Sequence, residues 1–580
     1  MNAPVSALLV ALIVLTGCTS VAPVMETRLS GSSALPVAQT ASTEAYYHYT
    51  LAQIHARAGR TQEAITEIRK AIKHDPSTPG LWSQLALWLA KAGAANEAIE
   101  AARRAVEVGP NEVSAHVTLA ELYRGEKRYA EAEAALEKAI ALNPLAPQPY
   151  QTLARYHAEQ KAFDKARAVL IRLIEVKPTD AQAHFLLGRL AIETESWDEA
   201  IAFLRRAIEL DPGAGRPRLV LGYVYETRDQ PEEALAVYRT ALEMNPDNPA
   251  ILERLGDLLI RVGKFDKAEP EIEALAGLAP RNPQIWMKLG AVYYERKRYD
   301  KAAVAFQRAV GLDPSDLRAR FYLASAYMEI GKDADAEQEL QQILQLDSRS
   351  IEARVQLAFL YGRAKRYAQA ITLLRETVNL EPRRPELFLY LGTTYYRAEQ
   401  YDEAVASLRE GLSINDKHKE LYFQLGVVYE KQQRFNDAVQ AFRRVIELDP
   451  EHAEAHNYIG YMYAEKGINL KEAVRLIEKA LDLEPENGYF IDSLGWAYYQ
   501  QGRFAEALRE LKRAVERSGE DAVIFDHLGD AYLKNGLLED AIGAWEKALK
   551  LDPENTSVKR KLQETKEKPR KVEGARSKAE

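Results

Sequence analysis

Residues 181–214 read AQAHFLLGRLAIETESWDEAIAFLRRAIELDPGA, and this unit decides the fold of the chain. Gly188, Ala200 and Pro212 stand at positions 8, 20 and 32 of the unit. Proline returns at position 32 in eight consecutive units, at residues 76, 110, 144, 178, 212, 246, 280 and 314. A fixed period of 34 residues predicts an array of repeats rather than one large core.

Fifteen such units run from Ala45 to Asn555, with one extra residue near Ile468. Position 20 is alanine in all fifteen, position 8 is alanine or glycine in all fifteen, and position 11 is tyrosine in ten. In its period and in these residues the chain resembles the tetratricopeptide repeat family. The resemblance implies an all-α, right-handed superhelical solenoid of paired antiparallel helices. Because only small side chains fit where two helices approach closely, we expect positions 8 and 20 to face each other.

Length and composition exclude several classes of function. The repeats take up residues 45–555 of a chain of 580 residues, so no segment is left for a catalytic domain. A net charge of −8 argues against a general nucleic-acid binder. A single cysteine excludes an internal disulfide framework and a zinc site of two or four cysteines. We predict no enzymatic activity, no cofactor, no metal site and no small-molecule substrate.

The first 18 residues indicate a membrane location. The run Ala7–Thr16 is almost entirely apolar but too short to span a bilayer, as in a secretory signal. It ends in Leu15-Thr16-Gly17-Cys18, which resembles the bacterial lipobox and implies a lipidated Cys18 after removal of the signal. The pattern departs from the family in lacking Lys or Arg before the apolar run, and the alternative is an uncleaved apolar N-terminus. Thr19 favours the outer membrane, facing the periplasm, by resemblance to lipoprotein sorting.

Two further segments flank the array. Residues 19–44 are rich in Ser, Thr, Ala and Pro and predict a flexible tether. Residues 556–580 hold nine Lys or Arg and four Asp or Glu, and predict a basic capping helix followed by a disordered end. The alternative for this tail is electrostatic contact with an acidic surface such as anionic lipid.

In the tetratricopeptide family the first helix of each repeat lines an inner groove, largely through positions 2, 5, 9, 12 and 13. We call these positions the predicted groove. Its aromatic residues along the array suit an extended polypeptide or an amphipathic helix of another protein, although position 5 could equally be half-buried between helices. The aromatic candidates are Phe185, Tyr223, Phe321, Phe359, Tyr396 and Phe423.

The last three repeats interleave aromatic residues with carboxylates, which suits recognition of a basic or polar segment. Trp496 is the best candidate for an anchor, and Asp492 could instead bond backbone N–H groups at a helix start. Residues 492–499 resemble the C-terminal repeats of tetratricopeptide proteins common in Gram-negative bacteria, which implies an envelope-associated interaction protein. The candidates are Asn457, Tyr461, Tyr489, Asp492, Trp496, Tyr499, Asp526, His527 and Asp530.

Three functions fit these features. The first is a lipid-anchored scaffold that helps to assemble an export, pilus or secretion complex of the bacterial envelope, by analogy with other tetratricopeptide lipoproteins. The second is a holdase-like periplasmic chaperone whose groove receives unfolded clients. The third is a regulatory subunit that brings substrate to a separate enzyme.

Overall fold

The computed structural model describes residues 43–567, and this part of the chain is built from 31 α-helices without a β-strand. The chain divides into two compact units, Met1–Leu312 and Asp313–Glu580. Within each unit the helices alternate between the first and the second helix of a repeat. The all-α solenoid of helix pairs that the 34-residue period predicts is therefore confirmed.

The first unit contains sixteen of the described helices. They are α1 (Thr43–Arg57), α2 (Thr61–His74), α3 (Pro79–Lys91), α4 (Ala95–Val108), α5 (Val113–Gly125), α6 (Tyr129–Leu142), α7 (Pro147–Glu159), α8 (Phe163–Val176), α9 (Ala181–Glu193), α10 (Trp197–Leu210), α11 (Gly215–Thr227), α12 (Pro231–Met244), α13 (Pro249–Arg261), α14 (Phe265–Leu278), α15 (Pro283–Glu295) and α16 (Tyr299–Leu312).

The second unit contains the remaining fifteen described helices. They are α17 (Leu317–Glu329), α18 (Asp333–Leu346), α19 (Ile351–Arg363), α20 (Tyr367–Leu380), α21 (Pro385–Arg397), α22 (Tyr401–Ile414), α23 (Lys419–Lys431), α24 (Phe435–Leu448), α25 (Ala453–Lys466), α26 (Leu470–Leu483), α27 (Gly488–Gln500), α28 (Phe504–Ser518), α29 (Ala522–Lys534), α30 (Leu538–Leu551) and α31 (Thr556–Glu567).

Local sequence explains where the first helices begin. In several repeats the residue before the helix is Asp, Asn or Ser, and its side chain accepts a hydrogen bond from a backbone N–H of the first turn. Proline at the first helical position strengthens the start in others that have no side-chain cap, as Pro147 and Pro385 do. The capping residues of this kind are Asp180, Asn248, Asn282, Asp316, Ser350, Asn487 and Asp521.

The turn between repeats is held by a hydrogen bond that the sequence pattern did not reveal. A Trp, His, Tyr or Arg at position 4 reaches back six residues to the carbonyl oxygen of position 32, usually the proline. Trp286 Nε1, for example, donates to the oxygen of Pro280 over 2.9 Å. The same contact is made by Trp82, His116, Tyr150, His184, Arg218, Arg320, Arg354 and His456. Proline alone therefore does not fix this turn.

Packing within a repeat differs in one respect from the expectation. Alanine at position 20 is almost fully buried in every repeat, as predicted for a close approach. A β-carbon added to a glycine at position 8, however, would first meet the side chain at position 24 of the second helix. At Gly290 it would lie 2.5 Å from ring carbons of Phe306. Position 8 is therefore small because position 24 fills the space above it, and not only because position 20 is near.

One end of the described chain shifts a predicted boundary slightly. Helix α1 begins at Thr43, inside the segment 19–44 that the sequence assigns to a tether. Helix α31 packs on α30 through Val558, which is fully buried. The lipobox, Cys18, nearly all of the tether and residues 568–580 lie outside the described residues.

Candidate partner-binding surface of the first helices

The aromatic candidates of the predicted groove have unequal exposure. Phe185 is buried, and its ring belongs to the core that packs repeat 5. Phe321, Tyr396 and Phe423 are half-buried. Tyr223 and Phe359, both at position 9, are exposed by 42% and 50% of their surface. Position 9 therefore presents side chains to solvent, whereas position 5 is largely packing.

The six residues are divided between the two units. Phe185 and Tyr223 belong to the first unit, while the other four belong to the second. Phe423 lies in an aromatic cluster of its own, 5.6 Å from the ring of Tyr458 and 5.0 Å from that of His452. This cluster packs neighbouring repeats together and offers little free ring surface.

The candidates in the last three repeats, by contrast, come together. We call Asp492, Trp496, Tyr499, Asp526, His527, Asp530 and Lys561 the C-terminal cluster. They lie on helices α27, α29 and α31. Helices α27 and α29 are the first helices of the last two repeats, and α31 stands where the first helix of a further repeat would begin.

Trp496 stands at the centre of the C-terminal cluster. Its ring stacks on His527 at a centroid distance of 4.1 Å and on Tyr499 at 4.8 Å. The indole Nε1 donates a hydrogen bond to Glu465 over 3.1 Å. Trp496 is half-buried, so part of the indole already packs against other residues of the chain.

Asp492 and His527 form a buried ion pair beneath this indole. His527 Nδ1 lies 3.0 Å from Asp492 Oδ1 and 3.1 Å from Oδ2. Burial by itself would lower the pKa of His527, but the charge and hydrogen bond of Asp492, with the charges of Asp526 and Asp530, raise it above its ordinary value. Asp492 does not bond the backbone of its helix start, because Asn487 caps α27.

Asp526 and Asp530 both form ion pairs with Lys561 of the same chain. Lys561 Nζ lies 2.7 Å from Asp526 Oδ1 and 2.6 Å from Asp530 Oδ2. Burial raises the pKa of the Asp530 carboxyl, which the hydrogen bond from Lys561 only partly offsets. The sequence predicts that these carboxylates recognise a basic or polar segment of a partner. In the structure they instead bind a lysine on α31 of the same chain.

Sequence reasoning missed Lys561, although the repeat register contains a signal for it. Lys561 stands at position 6, and it contacts positions 5 and 9 of the preceding first helix. In the first unit Lys288 Nζ makes the same two contacts, 3.1 Å from Glu253 and 2.9 Å from Asp257. His527 also follows this rule, with Asp492 at position 5 and Trp496 at position 9. Extending the register by one more first helix would have paired Lys561 with the two aspartates.

Asn457, Tyr461 and Tyr489 are the three candidates outside the C-terminal cluster, and Tyr499 belongs to it. Tyr461 is half-buried, and burial, followed by the charges of Glu465 and Asp492, raises the pKa of its hydroxyl. Burial and the charges of Asp530 and Asp526 raise the pKa of Tyr499 to about 12. Asn457 carries a buried Oδ1 that receives no hydrogen bond from the described residues. Tyr489 is the most exposed candidate of the nine, at 58%.

Among residues 43–567, no group of three or more His, Cys, Asp or Glu side chains is placed to hold a metal ion. Every helix in the same range is too short or too polar to cross a lipid bilayer. In the C-terminal cluster, the three aspartates are already paired with His527 and Lys561.

Family models match most of the array. Three models described as tetratricopeptide repeat match residues 152–215, 254–316 and 493–557, residues 215–258, and residues 45–78 and 113–146. A model described as the C-terminal domain of cilia and flagella-associated protein 70 matches residues 315–523. No curated protein matches the chain significantly.

The chain also aligns with chains of two solved structures at low sequence identity. A chain of the APC/C hetero-tetramer Cut9–Hcn1 is 15% identical, with a TM-score of 0.37 over 84% of this chain and 95% of that chain. A chain of the Naa15/Naa10 structure bound to HypK-THB is 14% identical, with a TM-score of 0.31 over 90% of this chain and 96% of that chain.

Proposed function

Because the chain carries tetratricopeptide repeats, we propose that it is a non-catalytic scaffold that binds other proteins along its first helices. The placement of exposed aromatic side chains supports this proposal most directly. Of seven such side chains in the described residues, six lie on first helices and only Tyr129 lies on a second helix. Aromatic residues are enriched at protein interfaces and costly to leave in water, so their bias to one set of helices marks the binding side.

The partner's contact with the last repeats is aromatic in character. Tyr489 is exposed, whereas Asp492, Asp526 and Asp530 are held in ion pairs. An extended segment or an amphipathic helix fits such a surface through apolar anchors. A partner that relies on lysines would have to displace Lys561.

We further propose that Cys18 carries a lipid and that the array works in the bacterial envelope, at the outer membrane and facing the periplasm. The resemblance of residues 15–18 to a lipobox supports the lipid anchor. The resemblance of residues 492–499 to tetratricopeptide proteins of Gram-negative bacteria supports the location in the envelope. The assembly it serves would be an export, pilus or secretion complex.

Quantitative recovery of co-purifying proteins tests the scaffold function. The variant Phe359→Ser/Tyr489→Ser removes two exposed rings without touching the buried ion pairs, so the fold should be kept. We expect it to recover a specific partner at least about tenfold less well than the native chain. Leu346→Ser is the matched control, because Leu346 is 55% exposed but lies on the second helix α18.

Two results would count against the proposal. Equal recovery by both variants and the native chain would show that the first helices are not the binding side. Recovery of many unrelated unfolded proteins in place of one partner would favour the holdase-like chaperone.

A further inference from the structure

Three neighbouring first helices of the first unit each carry an exposed arginine. Arg189 stands at position 9 of α9, Arg216 at position 2 of α11 and Arg254 at position 6 of α13. None of the three forms an ion pair with a residue that the structure describes. Positions 2 and 9 belong to the predicted groove, and position 6 contacts positions 5 and 9 of the preceding first helix. The three arginines therefore lie on the proposed binding side.

Two neighbouring cations of this groove, by contrast, are paired within the chain. Arg261 lies 2.6 Å from a carboxylate oxygen of Glu226. Lys288 lies within 3.1 Å of both carboxylates of α13. These pairs take up three of the four carboxylates on α9, α11 and α13, and only Glu193 stays outside an ion pair with the described residues. The three exposed arginines therefore form a local excess of positive charge on a chain whose net charge is −8.

Aromatic rings lie beside these arginines. Tyr223 is 42% exposed, and the guanidinium carbon of Arg254 lies 5.6 Å from the centroid of its ring. Arg216 and Phe185 line the same cleft at the starts of α9 and α11. Arg189 follows Phe185 by one helical turn, which places both residues on one face of α9. We call Arg189, Arg216, Tyr223 and Arg254 the arginine face.

The carboxylates of that cleft hydrogen-bond the backbone rather than Arg216. Asp180 accepts a hydrogen bond from the N–H of Ala183 over 2.9 Å, at the start of α9. Asp211 accepts one from the N–H of Gly213 over 3.1 Å. Neither carboxylate lies within ion-pair distance of Arg216 in the described chain. The charge of Arg216 is therefore available to a carboxylate from outside the chain.

The chemistry of the arginine face favours separate carboxylates as its ligands. A guanidinium presents a planar set of donors that fits the two oxygens of a carboxylate or a phosphate. A continuous polyanion such as a nucleic acid would also pass Glu193 and the two carboxylates of α13, which would repel it. An acidic polypeptide segment instead offers carboxylates with apolar side chains between them. Such a segment matches a face on which arginines alternate with aromatic rings.

We propose that the arginine face binds an acidic segment of a partner protein, with carboxylates on the three arginines and an apolar side chain beside Tyr223. This inference rests on the proposed function, because it names the chemistry of the partner on one stretch of the first helices. The C-terminal cluster does not offer the same contact, since its Lys561 is already paired with two aspartates. Because the arginines are exposed, the contact should weaken as the salt concentration rises.

A peptide probe on the full chain tests the proposal by fluorescence anisotropy at low salt. The native chain should bind a fluorescein-labelled glutamate peptide with one central phenylalanine. It should not bind the same peptide with lysine in place of glutamate. The arginine variant, Arg189→Ser/Arg216→Ser/Arg254→Ser, should bind the glutamate peptide at least about tenfold more weakly, because three charge pairs are lost together. All three residues are exposed, so the variant should keep the fold.

A charge-matched variant is the control for this loss. Lys138→Ser/Arg239→Ser/Lys267→Ser removes the same net charge from exposed positions on the second helices α6, α12 and α14, and it should bind the peptide as the native chain does. Equal losses in the two variants, or no loss in the arginine variant, would overturn the proposal. So would a native chain that does not prefer the glutamate peptide to the lysine peptide. A single-stranded oligonucleotide that binds the arginine face more tightly than the glutamate peptide would assign the face to nucleic acid instead.

Recovery of co-purifying proteins separates a failure of this inference from a failure of the scaffold function. The arginine variant should recover the partner of the native chain at least about tenfold less well. If the arginine variant keeps a partner that Phe359→Ser/Tyr489→Ser loses, the scaffold function stands and the acidic segment is wrong. If both variants keep the partner, the scaffold function on the first helices fails as well.

Discussion

At the scale of single residues, an aromatic side chain on the second helix is matched by glycine on the first. Where position 24 is aromatic, at Tyr238, Phe306, Phe442 and Trp545, position 8 of the same repeat is glycine. Where position 8 is alanine, position 24 is Ala, Ile or Leu, as in the pair Ala358 and Leu374. An aromatic side chain at position 24 therefore goes with glycine at position 8, although glycine also faces Leu or Ile in the other repeats that carry it.

The variant Gly290→Ala should destabilise its repeat by about 1–3 kcal/mol, because the added methyl group overlaps the ring of Phe306. The double variant Gly290→Ala/Phe306→Leu should recover most of this loss, since an Ala–Leu pair is native to other repeats. Hydrogen exchange of the amides in α15 and α16 measures both effects. A double variant no more protected than Gly290→Ala would show that position 24 is not the cause.

The buried His527–Asp492 pair should make the last repeats sensitive to pH. Because the folded state raises the pKa of His527, the ion pair contributes fully below the unfolded value of about 6.5. This contribution is lost as pH rises through the folded pKa. Hydrogen-exchange protection of α27 and α29 should therefore fall between neutral and alkaline pH.

The variant His527→Gln is the control for this pH dependence. It keeps a polar side chain at the position but cannot gain a proton, so its protection should be low and flat over the same range. A native chain whose protection rises or stays constant from neutral to alkaline pH would contradict the assignment of a charged His527.

At the scale of elements, α31 closes the array with few apolar contacts. Its buried residues are Val558 and Thr565, and its main polar contact is Lys561 between two aspartates. Such a helix gains little from its own propensity, and its stability depends on docking. We therefore expect α31 to be among the first elements to open.

Replacing Lys561 by alanine should detach α31. The change leaves Asp526 and Asp530 side by side without their cation, which should cost about 1–3 kcal/mol. Loss of hydrogen-exchange protection in residues 556–567 is the expected readout. Lys566→Ala is the matched control on the same helix, since its bond to Glu546 joins two half-exposed side chains and contributes little. Equal effects of the two variants would mean that the aspartate contacts are not what holds α31.

The period and the small residues were sufficient to predict the helix pairs, because each is a local consequence of the repeat. Contacts between repeats were harder to predict. The bond from position 4 to the turn carbonyl uses four different residue types, so it leaves no consensus. Lys561 appeared as one more lysine in a basic tail, and its role became visible only when α31 was placed in register behind α29. The ion pairs of Asp492 and Asp530 were missed for the same reason.

At the scale of the whole molecule, stability should be distributed along the array. Each repeat contacts its neighbours, so stability is approximately a sum of repeats and interfaces. Gly290 and Lys561 lie in different units, so the effects of substitutions at the two residues should add. The partner-binding surface can therefore be altered in one place without loss of the remaining repeats.

The proposed lipid anchor predicts the behaviour of the whole chain in fractionation. Cys18→Ser removes the only thiol of the chain and should release the protein from the membrane fraction into the soluble fraction. The chain should otherwise keep its fold, because Cys18 precedes the first described helix. Metabolic labelling with a fatty acid gives the direct check: label in the native chain and none in Cys18→Ser. Membrane association that is unchanged in the variant would contradict the anchor.

Photo-crosslinking in living cells tests whether partners bind along the first helices. A photoreactive residue at position 489 reports from the exposed edge of the C-terminal cluster, and one at position 346 reports from a similarly exposed position on a second helix. We expect one dominant protein adduct from position 489, identified by mass spectrometry, and none of comparable yield from position 346. Adducts of equal yield from both positions, or from position 346 alone, would contradict it.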